Sequence, residues 1–133
     1  MPLSVDEVRA VFAELANGDG LGFFRHVAED VDWTVMGTHA LAGRYRSRAA
    51  FVQGTFARLG AALQSGAHLR ATNILVSGDW AVVELEANAV ARNGMPFDNR
   101  YCWLTRFAGG KIVEVRAYLD SALVQRVLDQ NPA

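Results

Sequence analysis

The strongest constraint on this chain is a series of turn signals at regular spacing in its second half. Ser77-Gly78-Asp79, Asn93-Gly94 and Gly109-Gly110 consist of residues that tolerate a positive φ angle or favour turns. The segments between them have the length and the β-branched content of strands, which predicts an antiparallel meander. The four predicted strands cover about 67–76, 80–92, 97–108 and 111–119.

The first half of the chain predicts mainly helices. Ser4 followed by Glu7 is a capping box, and apolar residues at steps of three and four predict an amphipathic helix that ends near Asn17-Gly18. The elements expected after it are a short helix at 21–28, a strand at 31–36 and a helix capped by Ser47. Helices followed by hairpins predict one α+β domain, residues 1–133, in which helices cover one face of a curved antiparallel sheet.

Charge and composition exclude several classes of partner. The formal net charge is −1 and no basic cluster is present, which argues against nucleic acid and against an anionic membrane. No run of about 18 apolar residues occurs, so we expect a soluble, cytoplasmic protein. Cys102 is the single cysteine and is expected to fill space in the core. Metal-ligand spacings such as HxxxH are missing, so neither a metal nor another cofactor is expected.

Three longer stretches carry a family resemblance. They are "LANGDGLGFFRHVAEDVDW" from residue 15, "GTHALAGRYRSRAAF" from residue 37 and "GGKIVEVRAYLDSALV" from residue 109. Their order and spacing resemble the nuclear-transport-factor-2-like superfamily, in particular its SnoaL-like polyketide-cyclase and ketosteroid-isomerase-related branch. The resemblance implies a cone-shaped α+β barrel with a deep apolar cavity for a small hydrophobic molecule. It also implies a homodimer formed through the outer face of the sheet.

The two faces of the strand "AVVELEANAV" leave an ambiguity that bears on the site. Alternation puts Val83 and Leu85 on one face and Glu84, Glu86 and Asn88 on the other, and periodicity alone favours burying the apolar face. The family resemblance implies the reverse arrangement, with the apolar face as the dimer surface. We take the resemblance as the guide and expect a cavity lined by Glu84, Glu86, Asn88, Asn99, Tyr101, Trp103, Ala117 and Leu119, with Trp33 and Val35 on the entering strand.

The catalytic residues of the family carry over poorly. Val35 and Trp103 stand where the resemblance places the two acids of the steroid isomerases, so steroid isomerisation by that mechanism is not expected. In the epoxide-hydrolase pattern, the matching positions read Glu84, Glu86 and Ala117, so that water-activating arrangement is also incomplete. The resemblance therefore indicates a fold and a cavity, but it does not select a reaction.

Four residues are candidates for acid and base chemistry. Glu86 comes first, because burial in an apolar cone makes a carboxylate easier to protonate near neutral pH. Tyr101 is expected to hydrogen-bond a substrate oxygen. His39 is either a second acid or base at the cavity mouth or a loop histidine bonded to backbone. Asp120 is either the counterpart of the cyclase aspartate or the cap of the last helix.

Two functions follow as hypotheses. The first is a cofactor-free isomerase, cyclase, dehydratase or hydrolase that acts on a small hydrophobic substrate. The second is a binding or dimerisation module without catalysis. A buried Glu86 facing Tyr101 would favour the enzyme, whereas a cavity filled by Trp33 and Trp103, with both glutamates in water, would favour the binding module.

Overall fold

The computed structural model describes residues 3–16 and 20–132. Its helices are α1 (Val5–Ala16), α2 (Gly20–Phe24), α3 (Arg48–Phe51), α4 (Ala57–Ala61) and α5 (Ser121–Gln130). Its strands are β1 (Val27–Val35), β2 (Gly43–Tyr45), β3 (Leu69–Ser77), β4 (Trp80–Ala87), β5 (Ala89–Val90), β6 (Pro96–Phe97), β7 (Arg100–Ala108) and β8 (Lys111–Leu119). The predicted end of α1, Asn17-Gly18, lies outside the described residues. Within the described ranges, no helix is both long and apolar enough to cross a membrane.

Six strands form one mixed sheet in the order β2-β1-β8-β7-β4-β3. The meander predicted for the second half of the chain is confirmed, since β3, β4, β7 and β8 pair antiparallel with their neighbours. The prediction of a wholly antiparallel sheet is wrong in one place, because β1 runs parallel to β8. Those two strands are joined by most of the chain, so no short turn forces them into opposite directions.

A three-residue turn sets the register between β4 and β7. The Ala91 N–H donates to the Met95 carbonyl at 2.9 Å, and Gly94 adopts a φ of 90° inside the turn, a conformation that favours glycine. As a result, odd positions pair with odd positions, as in Leu85 opposite Tyr101. The predicted strand 80–92 is also interrupted, since β5 and β6 form a separate small ladder beside this turn.

The core lies between the helices and the inner face of the sheet. On β7 the residues 101, 103, 105 and 107 are buried in strict alternation, and Val83 and Leu85 of β4 are buried opposite them. Phe12 of α1 packs against Phe23 at 5.1 Å and against Trp103 at 6.0 Å between ring centroids. Each large apolar side chain buried in this way stabilises the fold by about 1.5–3 kcal/mol.

The helix predicted after Ser47 is continuous but contains a π-helical turn. The Ser47 side chain accepts a hydrogen bond from the Ala50 N–H at 3.0 Å, which confirms the predicted cap. The turn Val52–Phe56 joins α3 to α4, a feature that the apolar spacing did not predict. Gly54 lies against the Tyr45 ring here, and the Tyr45 hydroxyl donates to the Leu41 carbonyl at 2.9 Å.

Candidate functional site

An apolar pocket lies between the helix that runs from α3 to α4 and the inner face of β1, β7 and β8. Every residue in its wall is uncharged, and Thr55, Tyr101 and the two tryptophans Trp33 and Trp103 supply its polar side-chain atoms. The cavity has a volume of about 50 Å³. One buried water requires about 10–15 Å³ of cavity volume, so the pocket has room for a small molecule but not for a large one.

Aromatic side chains form much of the pocket wall. Trp33 stacks on Phe51 with 3.8 Å between ring centroids and an interplanar angle of 18°. Trp103 meets Trp33 edge to face at 5.2 Å, and Tyr101 meets Trp103 in the same manner at 6.3 Å. The two T-shaped pairs have a geometry that aromatic rings prefer, whereas Trp33 and Phe51 lie nearly face to face.

Four buried polar side-chain atoms have no hydrogen-bond partner among the described residues. They are Trp33 Nε1, Trp103 Nε1, the Tyr101 hydroxyl and Asn99 Nδ2. Three of these four atoms belong to residues of the pocket wall. Each of the four atoms is closed off from the solvent and from the pocket space, and unpaired buried polar groups of this kind are uncommon in proteins.

Tyr101 is the one ionisable residue among those that line the pocket in the described part of the chain. It is 8% exposed, and burial raises the pKa of Tyr101 well above its usual range. The amide of Asn99, two residues earlier on the same face, acts on that pKa in the opposite direction and more weakly. The hydroxyl therefore remains protonated at physiological pH.

Six of the predicted site residues lie in the pocket wall. They are Trp33, Val35, Tyr101, Trp103, Ala117 and Leu119. Asn99 is buried on the same face of the sheet outside this wall, and its Oδ1 accepts a hydrogen bond from the Arg100 N–H at 3.0 Å. That these residues contact a substrate remains a prediction.

The prediction that Glu84, Glu86 and Asn88 line the cavity is wrong. Glu84 is exposed and accepts a hydrogen bond from Asn73 Nδ2 at 3.0 Å, and Asn88 is exposed as well. Glu86 pairs with Arg70 and with Arg100 on the outer face of the sheet. The reason is the three-residue turn, because a two-residue turn at Asn93-Gly94 would have paired even positions of β4 with odd positions of β7.

Cys102 also lies on the outer face, opposite Glu84, although it was expected in the core. It is half-buried, and burial together with the Glu84 charge raises the pKa of its thiol. The same register explains this correction, since every second residue of β7 is turned away from the pocket.

Neither His39 nor Asp120 lines the pocket. His39 Nε2 lies 3.0 Å from the Met36 carbonyl, and its Nδ1 accepts a hydrogen bond from the Leu41 N–H at 3.2 Å, so both ring nitrogens are engaged by backbone. Asp120 is exposed and caps α5 by accepting a hydrogen bond from the Leu123 N–H at 3.2 Å. Each makes the hydrogen bonds of the structural role that was its alternative, His39 to loop backbone and Asp120 as a helix cap. A part of either residue in catalysis stays a prediction.

Sequence reasoning missed the helical side of the pocket wall. Leu41, Phe51, Phe56 and Leu59 all contribute to it. Phe56 and Leu59 are spaced three residues apart and so share one apolar face of the helix predicted after Ser47, but periodicity does not distinguish an apolar face that fills a core from one that lines a pocket. The Thr55 hydroxyl is occupied, because it donates to the Phe51 carbonyl at 2.7 Å. In the described segments, no three potential metal ligands lie close enough together to hold an ion.

Comparison with known proteins assigns the chain to a family. The family model described as "SnoaL-like domain" matches residues 8–115. The chain belongs to this family. A dimerizing cyclase, PhiC, of a fungal species is 30% identical over 91% of this SnoaL-like chain, which spans 55% of that cyclase. The chain thus covers about half the length of this relative.

Two further relatives match this SnoaL-like chain over nearly their whole length. An uncharacterized protein of Mycobacterium tuberculosis is 32% identical over 91% of this chain and 92% of its own. The crystal structure of a nuclear-transport-factor-2-like protein from Burkholderia thailandensis superposes with a TM-score of 0.78 at 26% identity, covering 92% of this chain and 95% of that one. The expected α+β fold is therefore confirmed.

Proposed function

We propose that this SnoaL-like domain binds one small, uncharged, largely apolar molecule in the pocket beneath the α3–α4 helix. The observation that supports this function is a pocket wall without a formal charge. A buried charge without a partner costs far more free energy than a buried hydrogen-bonded group, so this wall disfavours ionic ligands. Apolar ligand surface gains about 25 cal/mol for each Å² removed from water.

A second candidate function is ring closure of the bound molecule. It is favoured by the 30% identity to a protein named as a dimerizing cyclase. In this pocket such a reaction would proceed without a metal or another cofactor. It would depend on holding the reacting groups together and on donation from the Tyr101 hydroxyl, because Glu84 and Glu86 lie on the opposite face. Turnover of a neutral diketone, which closes to a cyclic enone with release of one water molecule, distinguishes this function from binding alone if the Ala117→Phe variant described below lacks it.

A homodimer belongs to the same proposal. The outer face of the sheet presents Trp80, Val82, Leu104 and Tyr118, together with charges of both signs. Tyr118 is 46% exposed, which is high for a large aromatic side chain on a sheet. A second copy with the same face offers matching apolar area and complementary charges.

Binding is tested with indane, an uncharged bicyclic hydrocarbon, observed by saturation-transfer NMR. We expect indane to bind the unchanged protein and to lose binding in Ala117→Phe, because the new ring occupies the pocket. Glu86→Gln is the control, since its side chain lies on the outer face, and it should bind indane as the unchanged protein does. Equal binding by the Ala117→Phe variant, with its thermal unfolding still cooperative, would refute the pocket as the binding site.

A further inference from the structure

We infer that a surface groove between α4 and α5 is a second binding site of this domain and that it takes small carboxylates with an apolar body. The groove lies beside the three-residue turn that precedes β6. Its wall includes Arg58 of α4 and Arg92 of the turn, together with residues from the end of α5.

The first argument is the size of the groove and the chemistry of its surface. It has a volume of about 430 Å³, against about 50 Å³ for the apolar pocket, and the two share no residue. A volume of this size is in the range of sites for small molecules. Polar atoms form part of the groove surface that a ligand can reach, whereas the reachable surface of the apolar pocket is almost wholly apolar.

The second argument is charge. Seven other arginines of the described chain lie within 4 Å of a carboxylate. Arg58 and Arg92 have no such partner among the described residues, and the groove wall contains no aspartate or glutamate there. An anion in the groove supplies the missing partner, and a guanidinium binds a carboxylate through two parallel hydrogen bonds.

The third argument is the fixed position of Arg92. Its backbone N–H donates to the Ala62 carbonyl at 2.9 Å, and its Nη2 donates to the carbonyls of Asn131 and Pro132, each at 2.6 Å. Its Nε and Nη1 make no hydrogen bond to any described residue. A guanidinium that is already held in place loses little conformational freedom when an anion binds.

Arg58 is held less firmly. Its one hydrogen bond within the described ranges runs from Nη1 to the Ala40 carbonyl and is 3.4 Å long. Since this bond is weak, the exposed guanidinium can turn towards a ligand at little cost.

The fourth argument is the apolar floor of the groove. Ala57 and Ala61 lie one turn apart on α4, and Leu128 and Pro132 add apolar surface. This floor offers no hydrogen-bond partner to the additional oxygens of a phosphate. A carboxylate has two oxygens that one guanidinium can match, and its apolar body covers the floor. The ligand class is therefore an aryl or alkyl carboxylate.

The test compares naphthalene-2-carboxylate with 2-naphthamide, a neutral molecule of nearly the same shape, in NMR titrations. The carboxylate should bind at least about tenfold more tightly, and added salt should weaken its binding but not that of the amide. Arg58→Gln should weaken carboxylate binding about threefold. Arg126→Gln is the matched control, because Arg126 is exposed on α5 outside the groove wall, and it should bind as the unchanged protein does.

Ala61→Phe is a second variant, which keeps both arginines and fills the floor of the groove. It should lose carboxylate binding and still bind indane, whereas Ala117→Phe should do the reverse. Equal affinities for carboxylate and amide, or equal effects of Arg58→Gln and Arg126→Gln, would overturn the inference and leave the proposed function intact. Displacement of the carboxylate by an equal concentration of inorganic phosphate would overturn the ligand class. Failure of indane to bind would overturn the proposed function alone.

Discussion

Tyr101 determines the charge state of the pocket, because it is the ionisable residue of the described wall. Burial raises the pKa of its hydroxyl, and Asn99 only partly opposes that effect. In the folded protein the neutral form is therefore favoured over a wider pH range than in the unfolded chain. The pocket should keep its uncharged character throughout the physiological range.

The raised pKa of Tyr101 predicts that the folded protein loses stability at alkaline pH. Above the ordinary tyrosine pKa of about 10, the unfolded chain releases the Tyr101 proton while the folded protein retains it, so the free energy of unfolding falls as pH rises. The stability that the protein gains by keeping the Tyr101 hydroxyl protonated is fully present below about pH 10, and it is lost as pH rises through the pKa of Tyr101 in the folded state. Urea unfolding between pH 8 and 11 should show a weaker pH dependence for Tyr101→Phe than for the unchanged protein. Tyr118→Phe is the matched control, and an equal slope in all three proteins would contradict the expectation.

Some single residues could be assigned from the sequence and others could not. Ser47 precedes an apolar helical stripe, and local hydrogen bonding is enough to fix its capping role. For Asp120 the sequence offered both a cap and a catalytic acid, and the structure shows the cap. His39 could not be assigned in advance, since its two backbone hydrogen bonds depend on how the loop before β2 folds back on itself. Local hydrogen bonding makes helix caps predictable from the sequence, whereas the role of His39 depends on the conformation of its loop.

The π-helical turn shows how a secondary-structure element shapes the pocket. It brings Gly54 against the ring of Tyr45, and a Cβ at position 54 would lie 2.5 Å from Tyr45 Cε1. The Tyr45 hydroxyl donates a hydrogen bond to the Leu41 carbonyl, and Leu41 lines the pocket. The position of the pocket wall therefore depends on close contact between a glycine and an aromatic ring.

Two alanine substitutions in this helix should have opposite effects. Gly54→Ala should destabilise the protein by about 1–3 kcal/mol, because the added methyl group must displace the Tyr45 ring. Gly60→Ala meets no atom within 4 Å and should stabilise by up to about 1 kcal/mol through its better helix propensity. Urea unfolding measures both changes. A neutral Gly54→Ala would mean that the ring moves freely, and the contact would then not define the wall.

The sequence did not determine the register of β4, and therefore did not determine which face of this strand is buried. Its apolar face, Val83 and Leu85, is buried as periodicity alone favours, and the family resemblance pointed to the wrong face. Tyr101 and Trp103 nevertheless lie in the pocket wall, and their contact with a substrate stays a prediction. Alternation fixes which residues share a face, but the face that turns inward depends on turn length, and residue types do not reveal whether Asn93-Gly94 closes a two- or a three-residue turn.

At the scale of the whole molecule, the outer face of the sheet should join two copies. Leu104 lies on this face between Val82 and Arg116, and it is half-buried within one chain. Leu104→Glu should convert a dimer to a monomer, because it buries a new charge in an apolar contact. Val90→Glu is the control, since Val90 is 44% exposed on the separate β5–β6 ladder. Sedimentation equilibrium measures the change, and a monomeric unchanged protein would refute the dimer.

The overall fold could be predicted from the sequence more completely than the strand register or the roles of single residues. Turn signals and helix caps act locally, and together they predicted the meander and most helices. The parallel pairing of β1 with β8 was not predictable in this way, because it joins segments far apart in the chain. Long-range pairing depends on the packing of the complete core, to which no single motif corresponds.

The three-residue turn between Ala91 and Met95 has a consequence for how such a domain can change its chemistry. β4 contains two complete sets of side chains, one aliphatic and one with two carboxylates, and the length of the turn decides which set faces inward. In the same sequence, a two-residue turn at Asn93-Gly94 would place Arg92 opposite Met95, shift the register by one and bring Glu84 and Glu86 opposite Trp103 and Tyr101. In this strand, a neutral pocket wall and a wall with two carboxylates are thus separated only by the choice between two turn geometries.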